Sequence, residues 1–445
     1  MIKQYSIIDL EVSIRNRGEQ AIGGLQASPY HPDNEIVLYG STNLLSALDY
    51  VWSLNQSEQE KWLDQTSNYH VHQSHKQLLD ILLTADVLVG QNIKFDLLWL
   101  LREHPADVLV FLEKGGQIWD TQQAEYLLSG QQEMMAPLSS KYNKEGEMSR
   151  EGLSRKYGGT EKDDRIKEYW DNGIDTSDIP LSELVEYCEY DLKNTAMVFL
   201  GQERAMREMG EDFTHLVGSQ MEAIIATTIM EHNGMAFDVD RAAITANELA
   251  TTFDTLVTTL TDSVQVEFDI QNDSAYSVPL ESLNLNSVQQ LNTFLFGGKF
   301  TFKADVTQYS DKGEPILYKS GIKKGEIKTK KEDIVINVDE PQGFLDINPL
   351  AFSVLAKTLK GYKLDEAAID TLIAHTESGT TLAFLQGLKD YRRIHKDLNT
   401  YYMGLLKLVW PTDSCLHGSI NHCTTGTGRL SSSSPNMQNI SGKKG

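Results

Sequence analysis

At 445 residues and 50.0 kDa the chain is too long for one ordinary domain, so two or three are expected. Hydrophobic residues at 40% exclude a disordered polypeptide, three cysteines exclude a disulfide framework and point to a reducing compartment, and no apolar run reaches the length of a membrane span. A net charge of −23 runs against the basic character of most nucleic-acid binders, so contact with phosphates would need Lys and Arg gathered locally, or carboxylates that hold divalent cations.

Met1 to Leu10 holds one Lys and no apolar run of signal-peptide length. Tyr5 to Val12 alternates and is β-branched, which predicts a strand, and Glu35 to Tyr39 predicts another. His75 to Leu83 reads as a helix leading into a short apolar strand, Asp86 to Val89, followed by a helix over Lys94 to Glu103. Ile118 and Trp119 are strand-like and lead into a helix, Thr121 to Leu128, and the polar stretch Gln131 to Arg150 reads as loop. Leu181 to Met209 has strong helical periodicity with Pro180 ahead of it as a start signal. Beyond about Gly210 long helices are expected over Ser219 to Asn233 and Asp240 to Leu260. Gly297 and Gly298 open a polar, strand-like segment, Lys299 to Val338, that holds the most basic run: Lys319, Lys323, Lys324, Lys328, Lys330 and Lys331. Helical pattern resumes at Pro349 to Leu359 and at Asp365 to Tyr402, and Cys415 to Gly445 is rich in Ser, Thr, Gly and Asn.

Three short motifs carry chemistry. Asp9 and Glu11 lie two apart on the first strand, so both carboxylates face one way, while Ile8, Leu10 and Val12 face the other. Two acids on one face are costly unless they are solvated at an edge or compensated by cations. Asn92 and Asp96 share one side at the start of the predicted helix over Lys94 to Glu103, where Asn92 would also serve as an N-cap. Tyr187 and Asp191 project together from the long helix.

Together these motifs, with Trp119-Asp120-Thr121 and Ala124, Tyr126, Leu127 and Leu128, resemble the DEDD exonuclease superfamily, in its subgroup with a tyrosine in the third motif, over about Met1 to Glu203. That resemblance implies an α/β ribonuclease-H-like domain, a mixed central sheet flanked by helices, over 1–208. It implies two Mg²⁺, or Mn²⁺ in their place, about 3.5–4 Å apart, hydrolysing phosphodiesters at DNA 3′ ends. Asp9 would bridge both ions, Glu11 and Asp191 would help hold the one that activates water, and Asp96 would act through the water shell of the second. Tyr187 would orient the attacking water, since a phenol of ordinary pKa, about 10, is a poor base near neutrality. Asn92 and Phe95 would lie beside the single-stranded 3′ end.

A second resemblance is to family A, polymerase-I-like DNA polymerases. Ile229 to Asp238 looks like the family's junction between exonuclease and thumb, and Asn284 to Ser287 with Gln290, Leu291, Leu295 and Phe296 looks like the thumb motif that grips the duplex. Gly361 to Asp365 resembles a later thumb segment, and Tyr391 to Tyr401, with Arg392, Lys396, Thr400 and Tyr401, resembles the helix entering the palm. The sharpest match is Thr425-Gly426-Thr427-Gly428-Arg429-Leu430-Ser431-Ser432, continuing through Pro435 and Asn436 to Ile440. By resemblance Arg429, Gln438 and Asn439 would test base-pair shape in the minor groove. Asn286, Ser287, Gln290, Lys396, Tyr401, Thr425 and Asn436 would join them as DNA contacts. The implied organisation is a mainly helical thumb region over 209–400, with a basic insertion at 298–345, and the edge of a palm over 401–445.

In relatives the palm aspartates and the fingers helix lie beyond this last motif, so an incomplete polymerase site is expected in this sequence. A truncated product, a split gene and one subunit of a two-piece polymerase, with a second chain bringing the rest of palm and fingers, all remain open. The short connections and the Lys-rich segment look more like phage polymerases, which places the expected setting in a bacterial or phage-infected host cytoplasm. Two rival functions are a primer–template-holding module with a degenerate nuclease and a free-standing RNA-trimming exonuclease. The four retained acids weigh against the first and the string at Thr425 to Ile440 against the second. Cys415, His417, His422 and Cys423 cluster in sequence without the spacing of a usual zinc site.

Overall fold

The computed structural model describes residues 3–15, 27–44, 56–66, 69–132, 148–159, 165–262, 269–270, 284–296, 298–310, 312–319, 324–338, 355–358, 361–377 and 379–440. Most of the expected loop 131–150 lies outside them, as does Lys323. The chain forms two compact units, one of residues 1–239 and 405–445 and the other of 240–404, where the sequence reading sets boundaries at 208/209 and 400/401.

The first unit is built on a five-stranded mixed sheet in the order β3-β2-β1-β4-β5. Its strands are β1 (Tyr5–Val12), β2 (Ile36–Leu44), β3 (Tyr69–His72), β4 (Val87–Gly90) and β5 (Gln117–Asp120). β1 pairs antiparallel with β2 and parallel with β4. It is therefore the central strand, and Ile7, Ile8, Leu10 and Val12 are all buried. The helices are α1 (Gln56–Thr66), α2 (Lys76–Thr84), α3 (Ile93–Glu103), α4 (Pro105–Glu113), α5 (Thr121–Leu128), α6 (Arg150–Tyr157), α7 (Arg165–Asp171), α8 (Leu181–Met209) and α9 (Glu211–Asn233). α8 packs on β1 and β2, α9 packs on α3, and one apolar core runs through the sheet and these helices.

α9 begins eight residues before the expected Ser219, because only Gly210, at φ 101, separates it from α8. That positive φ is open to glycine, so the chain turns within one residue and resumes as helix. After α9 a short strand, β6 (Met235–Ala236), leads into the second unit.

The second unit packs α10 (Val239–Asp262), α11 (Val288–Phe296), α12 (Glu366–Ala374) and α13 (Gly379–Lys396) around Leu291, Leu295, Leu372, Phe384, Leu385 and Leu388. β7 (Asp269–Ile270), β8 (Gly298–Thr307) and β9 (Thr329–Val338) form a three-stranded sheet, of which β8 and β9 are the strand-like pieces expected over Lys299 to Val338 and β7 lies outside that expectation. Lys330 and Lys331 are exposed on β9, and Lys319, Lys324 and Lys328 are exposed in the connection that leads to it.

Two expected helices are corrected here. In place of helix at 357–358, β10 (Lys357–Thr358) pairs with β11 (Gly361–Tyr362). Gly361 sits at φ 110, and the Asn292 side chain holds both main-chain groups of Tyr362, accepting from its N–H at 2.6 Å and donating to its carbonyl at 2.8 Å. The single helix expected over 365–402 breaks after Ala374, where Thr376 Oγ1 donates to the carbonyl of Leu372 at 2.6 Å and the His375 ring meets that of Thr371 at 2.8 Å. Those side chains satisfy last-turn carbonyls that a continuing helix would have used. α13 then passes into a π-helical turn, Asp397–Tyr402.

The chain returns to the first unit through α14 (Met403–Leu406), β12 (Val409–Trp410) and β13 (Cys415–Leu416), which pairs with β6, and ends in the hairpin of β14 (Ser419–Asn421) and β15 (Ser431–Ser433). Tyr126 Oη donates to the Thr425 carbonyl at 2.6 Å and Cys423 Sγ to Gln123 Oε1 at 3.0 Å. Lys94 and Glu231 form an ion pair with side chains 13% and 6% exposed; Lys94 also donates to the Ile420 carbonyl, and Glu231 accepts from the Ile420 amide.

Candidate functional site

Asp9 and Glu11 are 5% and 7% exposed and lie on the central strand, so the solvated-edge alternative fails. Asp9 stands opposite Gly40 on β2. A Cβ on Gly40 would lie 2.4 Å from Cys188 Sγ and 2.9 Å from the Asp9 carbonyl, so the absence of a side chain there lets α8 descend onto the strand. One ligand atom each of Asp9, Glu11 and Cys188 lie within 4.8 Å of one another. Gly40→Ala is expected to cost about 1–3 kcal/mol through overpacking. Urea unfolding measures this, and adding Cys188→Ala should recover part of the loss; no recovery would place the strain elsewhere.

Asp96 arrives from a different element. β4 ends at Gly90, and beyond its end Leu10 N–H donates to Asp96 Oδ1 at 3.0 Å, where a neighbouring strand would have offered a carbonyl. The carboxylate of Asp96 is thus fixed beside the residue that separates Asp9 from Glu11. It is 3% exposed, more enclosed than a helix-start acid on the surface would be. Asn92 precedes α3 in the left-handed region, φ 54, exposed and with no side-chain capping bond, so the N-cap role expected of its amide is not used. Phe95 is half-buried against the core.

On α8, Tyr187 and Asp191 flank Cys188 by one residue and nearly one turn, and are 7% and 2% exposed. The ring of Tyr187 meets Trp170 edge-on at 6.0 Å and 84°, and Trp170 is held by its Nε1–H donating to Thr176 Oγ1 at 3.1 Å. The structure therefore brings Asp9, Glu11, Asp96 and the 187–191 segment together from β1, α3 and α8.

Sequence reasoning assigned no role to Cys188 or Asp120. Asp120 caps α5, accepting from the amides of Gln122 at 2.8 Å and Gln123 at 3.2 Å, and the amides of Asn92 and Ile93 also favour its charge. It ties the start of α3 to the end of β5 and so positions Asn92 and Asp96. Burial outweighs these four amides and pushes its carboxyl up to about 6. A folded value above the unfolded one means that its contribution is full in acid and is lost as pH rises through about 6. Asp120→Asn should flatten the fall in stability between about pH 4 and pH 6 by up to about 3 kcal/mol. Thermal melts of both proteins across that window check it; parallel curves would mean the carboxyl is not perturbed.

The expected DNA contacts divide between the units. In the second unit Asn286 Nδ2 donates to Tyr391 Oη at 3.0 Å, Gln290 Oε1 accepts from Asn284 N–H at 2.8 Å, and Lys396 Nζ lies 5.7 Å over the Tyr401 ring. Ser287 lines an open groove with Lys363 and Asp365. In the first unit the loop between β14 and β15 presents an exposed Arg429, closed by Thr425 Oγ1 donating to the Arg429 carbonyl at 2.7 Å. Asn436 is spent on local structure, accepting from Ser432 Oγ at 3.0 Å and Gln438 N–H at 3.2 Å, and Gln438 Nε2 donates to the Leu430 carbonyl at 3.0 Å. Asn439 is exposed in the short helical turn that follows.

Comparison with known proteins gives two family matches: residues 49–200 match the 3′-5′ exonuclease family and residues 344–445 match DNA polymerase family A. The first takes in Asp96, Tyr187 and Asp191 and begins after Asp9 and Glu11. DNA polymerase I of Synechocystis sp. is 25% identical over 355 residues, 79% of this chain and 27% of that protein. DNA polymerase I of Geobacillus stearothermophilus is 35% identical over 109 residues, 24% of this chain and 12% of that protein. The matched stretches thus span about a quarter or less of these relatives. A solved structure, the POL domain of Pol1 from M. smegmatis in complex with DNA primer-template and dNTP, matches 99% of this chain and 53% of its own at a TM-score of 0.53 and 15% identity, a likeness of fold.

Proposed function

From a chain that joins a 3′-5′ exonuclease domain to a family A DNA polymerase region, we propose that the first unit removes nucleotides from DNA 3′ ends, the proofreading reaction of replication. The observation that carries this is the burial of Asp9 and Glu11 on one face of the central strand, with Asp96 bonded to the amide between them. Buried neighbouring carboxylates repel unless a cation compensates them, and a set of carboxylate oxygens suits Mg²⁺, with Mn²⁺ as a substitute. Bound divalent ions would supply an activated hydroxide and charge relief on the leaving 3′ oxygen. Asp9, Glu11, Asp96 and Asp191 would hold them.

The chain's own groups do the rest. Tyr187, its ring set by Trp170, directs its hydroxyl at the attacking water and aligns it without removing its proton. Asn92, exposed at the start of α3, and Phe95 receive the unstacked 3′ end. Asn286, Ser287, Gln290, Lys396, Tyr401, Thr425, Arg429, Asn436, Gln438 and Asn439 grip the primer–template duplex. Asn436 and Gln438 do so chiefly by shaping the loop that carries Arg429. Primer extension would require the remainder of palm and fingers, on this chain or a second one.

A labelled, mispaired primer–template incubated with Mg²⁺ tests the reading. Stepwise shortening from the 3′ end is expected, slowed more by Asp191→Ala than by Tyr187→Phe, since the first removes a ligand and the second an orienting hydroxyl. The reverse order would undo these roles. Retained binding without shortening would favour a module that only holds primer–template.

A further inference from the structure

Downstream of β12 a second cluster forms from Asp413, Cys415 and His417, one ligand atom of each lying within 4.8 Å of the others. His422 and Cys423, their neighbours in sequence, are engaged elsewhere: His422 Nε2 lies 2.7 Å from Thr227 Oγ1 and Cys423 Sγ 3.0 Å from Gln123 Oε1. The His417 ring is buried, stacks on Tyr30 at 3.7 Å and 18°, and abuts Gly234, where a Cβ would lie 2.8 Å from its Cε1. Its Nδ1 lies 2.7 Å from the Glu231 carbonyl oxygen. A carbonyl only accepts, so Nδ1 carries the ring proton. The fixed ring then aims Nε2 at Asp413 Oδ2, 2.8 Å away. In the neutral imidazole that nitrogen bears a lone pair, which faces the lone pairs of a carboxylate, and a cation between them removes the conflict.

We propose that Asp413, Cys415 and His417 bind a thiophilic divalent transition ion, of which Zn²⁺ is the representative, at a site separate from the Asp9–Glu11 centre. Imidazole, thiolate and carboxylate are the ligands such an ion prefers. The bond from Nδ1 to a backbone carbonyl is the outer contact that typically orients a ligating histidine. A tetrahedral Zn²⁺ would set Nε2 and the carboxylate oxygen about 3.3 Å apart. Asp413 therefore moves out by about 0.5 Å, which its exposed place in the turn before β13 allows. Cys415 loses its thiol proton to solvent on binding, and water completes the coordination. The ion would pin the turn to the end of α9 through His417.

Co²⁺ titration of the full chain reads the thiolate directly, as a near-ultraviolet charge-transfer band. One equivalent is expected in the unaltered protein and in Cys188→Ala, reversed by Zn²⁺ and lost in Cys415→Ser. Zn²⁺ should raise the melting temperature of the unaltered protein and leave Cys415→Ser unmoved. Absence of the band, or its survival in Cys415→Ser, would overturn the site and leave the His417–Asp413 contact as a purely structural one.

Discussion

Asp9→Ala is expected to slow 3′-end cleavage of single-stranded DNA by about a thousandfold or more, which corresponds to about 4 kcal/mol of transition-state stabilisation, while duplex affinity stays within about twofold. The residue sits on the central strand with its carboxylate enclosed beside Glu11. Its removal leaves a void the size of one carboxylate and takes away half of a repelling pair. Two effects on stability therefore oppose each other, and which wins depends on the cation. Without divalent ions the variant should melt at or above the unaltered protein, because the buried charges are fewer. With Mg²⁺ the order should reverse, because only the unaltered protein gains from binding. Paired melting curves with and without Mg²⁺ separate a ligand from a merely structural acid. A variant that melts far lower in both conditions, and loses DNA binding with cleavage, would mark Asp9 as structural.

The second large effect belongs to Lys94. It lies on α3 between Asn92 and Asp96, and its ammonium pairs with Glu231 of α9 while donating to the Ile420 carbonyl. Lys94→Met would strand a buried carboxylate, a change that costs about 3–5 kcal/mol. Burial already raises the Glu231 pKa, and Lys94 is the main influence opposing it. Without Lys94 the raised value climbs further, so Glu231 takes up a proton more readily in acid. The deficit should then be smaller near pH 5 than near pH 8, since stability tied to a raised carboxyl is lost as pH rises. Lys94→Met with Glu231→Gln keeps an acceptor for the Ile420 amide and should regain most of the loss. A loss that does not vary with pH, or a double variant no better than the single, would show that the pair is not what holds these elements together.

Much of this arrangement is legible in local sequence. Tyr5–Val12 and Leu181–Met209 form the expected strand and helix to the residue, because β-branched alternation in one and a long apolar period after Pro180 in the other leave little competition. α4 is not legible: it starts at Pro105, two residues after α3 ends, and exposes Leu109 and Val110 along with its polar side chains, so its pattern blurs into a loop. The break after Ala374 is hidden because Thr and His are tolerated inside helices, and only their bonds to the preceding carbonyls reveal a stop.

At the candidate site the four acids and Tyr187 are readable as motifs, whereas the parts that seat them depend on contacts between distant elements. Gly40 makes room for Cys188, nearly 150 positions away in sequence, and the Asp120 carboxyl reaches the amides that open α3. No local pattern announces either. The acidic net charge likewise says nothing of where Lys319 to Lys331 gather, which the hairpin of β8 and β9 and its continuation make plain.

The first unit is assembled from two separated stretches of chain, and this sets a timetable for its synthesis. Tyr126 and Thr425, which bond to each other, stand 299 positions apart. At ordinary translation speeds the ribosome takes about 15–60 s to cover that distance. Throughout that interval the sheet can pair, but the Lys94–Glu231 pair waits for the Ile420 main chain and Gln123 waits for Cys423. The nascent first unit thus emerges as an unsealed particle, closed only when the hairpin near the C-terminal end of this sequence arrives. Its exposure to proteases and chaperones is governed by the transit time of the residues in between, since lengthening that stretch adds little to the entropy of closure and much to the wait.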